Sequence, residues 1–136
     1  MSMTESYITI LEDSLNKKLE ILDAVEALNV QQSAIVDAAA FDEEAFGKLV
    51  EQKAALIDKL NAMDQGFQLV YNNVKAELDG NRDRYAQEIM RIQSKITLVM
   101  EKSGHLMADE QRNKEKIKKR FSERRREISS VKKNQQ

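Results

Sequence analysis

Between Phe41 and Leu78, apolar side chains return at alternating intervals of three and four residues with no proline to interrupt them, and that stretch decides the class of fold open to the chain. Phe46, Leu49, Leu56, Leu60, Met63, Phe67, Val70 and Val74 lie on one heptad seam, with Lys53 as its polar member. Val50, Ile57, Tyr71 and Leu78 widen the seam to a face that a single neighbour cannot cover, which predicts at least three helices, with the other segments packing against this one. The helix start is marked by Asp42 as N-cap, by Glu43 and Glu44 at the positive end of the dipole, and by Phe41 and Phe46 at the two positions of a hydrophobic staple.

Ahead of it, Ser2 and Glu5 have the spacing of a capping box, and Ile8, Leu11, Leu15, Leu22, Val25 and Val36 follow a heptad over a first helix from about Thr4 to Asp37. Lys18, Asn29 and Gln32 interrupt that seam. Ala38 to Ala40 form a short, small-residue link, so the first two helices are expected to be antiparallel neighbours. A turn near residue 40 brings Lys53 beside Ala27, within reach of Glu26 and Asn29, and either a polar layer forms there or Lys53 snorkels to the rim. Asp79, Gly80 and Asn81 mark the next turn. A third helix then carries Tyr85, Ile89, Ile92, Ile96 and Val99 on one stripe, with Met90 and Met100 beside it, read as gap-fillers of the core in preference to a Met-rich binding surface, and Ser103–Gly104 as a point where it can kink. The expected fold is all-α: an elongated antiparallel bundle of three long helices with coiled-coil-like packing, or of four if the chain breaks near Asp109 and folds back.

The net charge of −1 conceals an asymmetry. Residues 1–111 hold 11 Lys/Arg against 20 Asp/Glu, and residues 112–136 hold 11 against 3, so an acidic body (−9) carries a basic tail (+8). With a second turn near residue 80, the third helix runs out of partner at about Lys118, which divides the chain into a bundle (1–118) and a basic amphipathic extension (119–136). Ile117, Phe121, Ile128 and Val131 make an apolar stripe there without an internal partner, and these four are the expected partner-binding residues. Eleven cations on one arm also invite nucleic acid or an anionic membrane surface, but the arm holds one aromatic and no docking motif, so a protein partner is the better reading. The chain has no Cys and one His, and with no glycine-rich phosphate loop it offers no nucleophile–base pair; no enzyme and no cofactor are expected. Glu101 and His105 share a helix face, but two ligands from one helix do not make a metal site, and none is expected. No apolar run approaches the roughly 20 residues of a membrane span, no secretory signal pattern opens the chain, and a cytoplasmic location is expected.

The segment Asp42, Glu43, Glu44, Phe46, Leu49, Glu51, Lys53, Leu56, Ile57, Leu60, Met63 and Asp64 resembles the FlgN family of flagellar type III export chaperones, and the likeness extends over roughly residues 5–105. The resemblance implies a cytoplasmic, all-helical chaperone without ATPase activity. Such proteins hold the C-terminal helical tails of the hook-associated proteins FlgK and FlgL and bring them to the export gate protein FlhA. The family's later region, implicated in substrate and gate contacts, corresponds here to the helix around Ile117, Phe121, Ile128 and Val131, which is more basic than the family pattern and follows the last Tyr, Tyr85. A FliT-type chaperone for the filament cap is the rival within the same machinery. Outside it stand a structural coiled-coil adaptor that self-associates through the extension and a nucleic-acid-binding arm on a helical stalk; the sequence leaves the oligomeric state open.

Overall fold

Three helices, α1 (Met3–Asp37), α2 (Glu43–Gly80) and α3 (Ala86–Asn134), make up nearly all of the computed structural model, which describes the backbone of residues 2–134 and the side chains of residues 2–129. No strand occurs among the described residues. The helix starts are closed by the residues whose chemistry suits them. Ser2 Oγ accepts from Glu5 N at 3.2 Å, and Asp42 Oδ1 accepts from Ala45 N at 3.0 Å, each satisfying an orphan first-turn donor. The Phe41 and Phe46 rings meet at 5.6 Å, completing the staple. At the other end of α2, Gly80 is still helical; Asn81 closes the turn, donating N–H to Leu78 O at 3.2 Å and Nδ2 to Glu77 O at 2.8 Å, without a left-handed residue.

The helix at the centre is α1, which corrects the expectation that the stretch from Phe41 to Leu78 is the one the others pack against. Both α2 and α3 pack along α1, whereas α2 and α3 share little direct contact with each other. Burial follows that arrangement. In α1, Ile8, Leu15, Leu22, Asn29 and Val36 are buried at every seventh residue, and Leu11, Val25 and Gln32 form a second buried row beside them. In α2, Leu49, Val74 and Leu78 are buried, while Leu56, Leu60, Met63 and Phe67 remain half-exposed against the core. The wide stripe of α2 has room for two neighbours, and one flank of it lacks a tightly packed one.

α1 and α2 are antiparallel, and α3 returns parallel to α1. Arg91 and Lys95 of α3 pair with Glu12 of α1, Lys102 with Asp23, and Lys116 with Asp37, at sequence separations of 79 to 83. The hydrogen bond to the Asp23 carboxylate holds the Lys102 ammonium above the usual lysine range. Tyr85, Ile92, Val99, Leu106 and Asn113 are the buried positions of this third strip, again seven apart. α3 continues unbroken through Ser103, Gly104 and Asp109, so the chain does not fold back as a fourth helix. Its packed length also differs from the expected end near Lys118. Contacts to the rest of the chain run on to Arg124, because the link between α1 and α2 and the first turn of α2 extend the bundle beyond the end of α1.

Candidate functional site

The four residues expected to meet a partner fall on the last part of α3, and the structure treats them differently. Ile117 is half-buried. Phe121 is 40% exposed and turns one side to the link between α1 and α2, where its ring meets that of Phe41 edge-on at 5.6 Å. Ile128, two helical turns further on, is 49% exposed and lies beyond Arg124, the last residue of α3 paired with the bundle among the described residues. The side chain of Val131 lies outside the described residues. A cleft of about 330 Å³ opens beside Phe41 and Phe121, walled by Arg120, Glu123, Arg124 and Glu127. Phe121 and Ile128 are seven residues apart and so share a helix face, which leaves a stripe that starts on the aromatic cluster and ends unpartnered.

The basic character of this region has an internal explanation for one row of its cations. Arg112, Lys116, Arg120 and Arg124 recur every four residues, and each has a partner within the chain. Arg112 pairs with Asp109 on its own helix. Lys116 Nζ donates to Ser33 Oγ at 2.9 Å and to Asp37 Oδ2 at 3.0 Å, Arg120 Nη2 donates to Ala39 O at 2.8 Å, and Arg124 pairs with Glu43. The last turn of α1 contains no basic residue. Cations supplied by α3 therefore complement the negative end of the α1 dipole and bind the carbonyl that follows it. Lys114, Lys118, Lys119, Arg125 and Arg126 remain exposed. Glu101 and His105 both lie on the exposed side of α3.

Deeper in the bundle, Lys53 forms a polar layer that joins all three helices. Its Nζ donates to Gln32 Oε1 at 2.8 Å and to Asn29 Oδ1 at 3.2 Å, and it stands 2.7 Å from Glu110 Oε1. That last approach lies outside hydrogen-bond geometry, so it acts as a charge contact. Asn113 Nδ2 donates to the backbone O of Asn29 at 3.0 Å, and Asn29 Nδ2 is buried with no acceptor among the described residues. Asn29 belongs to the layer as the sequence indicates. Glu26, the other expected member, is exposed, and Gln32, Glu110 and Asn113 take part in its place. A second interruption, Lys18 in the inner row of α1, pairs with Asp64 of α2.

One further feature was missed from the sequence. Between α2 and α3 runs a trough, opening as a cleft of about 350 Å³ whose apolar lining is Phe67, Tyr71, Ile89, Ile92 and Ile96, with Asp79 and Arg82 at its end, and continuing past Met63 to Met100, where Leu15 of α1 joins its lining. The signal for it was the width of the α2 stripe, which called for two neighbours without saying whether both lie within this chain. Compared with known proteins, the chain matches no family model, no curated protein and no solved structure.

Proposed function

We propose that the protein is an export chaperone of the flagellar type III kind, holding the amphipathic C-terminal helix of a hook-associated protein on the outer end of α3 and bringing it to the export gate. The observation that carries this reading is the apolar stripe that begins at Phe121, packed on Phe41, and continues to the exposed Ile128, which has no partner among the described residues. The resemblance of residues 42–64 to the FlgN family adds the client class. A client helix laid along the stripe covers Ile128 and the free edge of Phe121 through residues spaced three and four apart, and its own apolar face is hidden in exchange. The exposed Arg125 and Arg126 flank that stripe and suit a client helix with acidic rim positions. Placing the partner here requires no opening of the bundle, because Ile128 and one side of Phe121 are already exposed.

Co-expression with the C-terminal tails of hook-associated proteins tests the reading. Wild-type protein is expected to yield a soluble one-to-one complex, and Ile128→Glu is expected to abolish it while leaving the circular dichroism melt unchanged. An undiminished complex with Ile128→Glu, or no complex with wild-type protein, removes this assignment.

A further inference from the structure

From the trough between α2 and α3 and the edges beside it, which carry no unpaired charge, we infer that a second copy of this chain docks there, antiparallel, with α3 lying against α3 across a two-fold axis beside Met100. This surface is separate from the outer end of α3 and does not depend on the chaperone reading.

The trough exists because α2 and α3 each pack more closely on α1 than on each other. The edge of α3 that borders it reads Met90, Gln93, Thr97, Met100, Gly104 and Met107, uncharged throughout and exposed throughout. Its three Met side chains are 66%, 69% and 73% exposed. Gln93 and Met100 line the trough itself, so this edge faces it. The facing edge of α2 reads Val50, Ala54, Ile57, Asn61, Gln68 and Tyr71, with Asp64 as its one charge, already paired with Lys18. In a chain that is 33% charged, two long exposed helix edges with no unpaired charge are a departure from what solvation favours.

Charge and area both favour an identical partner. A two-fold contact places the α3 edge against its own kind, so any ionised residue on it would meet like charge, and that edge carries none. Each copy also supplies both halves of the fit, a trough and a Met ridge to fill it. Met side chains are flexible enough to settle into such a trough without a preformed match. The strip is about 30 Å long at 1.5 Å per residue and two helices wide, so a symmetric contact covers on the order of 1,200 Å² in total, the lower bound of a stable specific interface. With the axis beside Met100, Thr97 of one copy lies against Gly104 of the other and Gln93 against Met107. A side chain at 104 would have open space within its own copy, with no atom within 4 Å, so the room there is free for the partner.

The chain has no cysteine, so single-cysteine variants report the geometry directly. Under mild oxidation Met100→Cys is expected to form a covalent dimer in high yield. Met90→Cys, whose counterpart would lie about 30 Å away, and Leu69→Cys, on a different face of α2, are expected to stay monomeric. In sedimentation equilibrium, wild-type protein is expected to dimerise and Met100→Glu to weaken the dimer at least tenfold with an unchanged helical signal. A monomer at concentrations up to about 100 μM, cross-linking of Met90→Cys or Leu69→Cys as readily as Met100→Cys, or a dimer indifferent to Met100→Glu would each overturn the proposal.

Discussion

Lys53 Nζ of α2 lies 2.8 Å from Oε1 of Gln32 on α1, a side chain with 2% of its surface exposed. An amide buried so fully has no water to replace a lost donor. Lys53→Leu therefore leaves Gln32 Oε1 and Asn29 Oδ1 without their donor, and leaves the buried Glu110 Oε1 without the charge it faces. The expected loss is about 1–3 kcal/mol. Changing Gln32 to Leu in the same chain removes the stranded acceptor, so the double variant is expected to recover part of the loss. Thermal melts of the two proteins decide this; a double variant less stable than Lys53→Leu would show that the layer is not limited by buried polar groups.

The central place of α1 has a direct consequence for core substitutions. Leu11 is fully buried, while Leu60, an equally good seam residue of α2, stays half-exposed. Leu11→Ala is expected to cost about 2–5 kcal/mol, with a cavity closed in by all neighbours. Leu60→Ala is expected to cost less than half as much, since its surroundings can collapse and water already reaches the site. Urea unfolding of both variants checks the ranking, and equal losses would mean that α2 is as deeply packed as α1.

Local features of this fold were readable, and long-range choices were not. Ser2, Asp42 and the Phe41–Phe46 pair act within one turn of their own helix, so their roles follow from spacing alone. The heptads likewise marked which faces turn inward. Which helix α3 would join was hidden, because α1 and α2 carry stripes of similar width and the choice rests on pairs far apart in sequence, such as Glu12 with Arg91. The same choice brought Glu110 and Asn113 to Lys53, and no periodicity in either helix announces that meeting. At the candidate site, the shared face of Phe121 and Ile128 was visible in the sequence. The contact of Phe121 with Phe41 was not, since it depends on how far the link between α1 and α2 extends the bundle.

Lys116 spans from α3 to Ser33 and Asp37 at the end of α1, where the helix dipole is negative and no local cation answers it. Both ionic groups are substantially exposed, so solvent screens the pair and its removal by Lys116→Ala is expected to cost under about 1 kcal/mol. Charge reversal to Lys116→Glu adds repulsion from Asp37 and is expected to lower the melting temperature further. Raising the salt to about 1 M, where the screening length falls to about 3 Å, should close most of the gap between the two variants. A gap that persists at high salt would point to lost packing of the lysine stem instead of lost charge.

Phe121 and Ile128 occupy the same face of α3, but among the described residues only the first has a partner in the bundle, which separates their effects on folding from their effects on binding. Phe121→Ala removes an edge-on aromatic contact and half-buried apolar surface, and is expected to cost about 1–2 kcal/mol. The loss should be local. Amide exchange ought to speed up through the α1–α2 link and the first turn of α2, where Phe41 and Phe46 lose their third ring, while the paired stretch around Leu15, Val74 and Ile92 keeps its protection. Ile128→Ala, beyond the last contact, is expected to shift stability by no more than about 0.5 kcal/mol. If Ile128→Ala destabilised the chain as much as Phe121→Ala, its side chain would have a partner inside the protein, and the outer end of α3 would no longer be a free surface for a client helix.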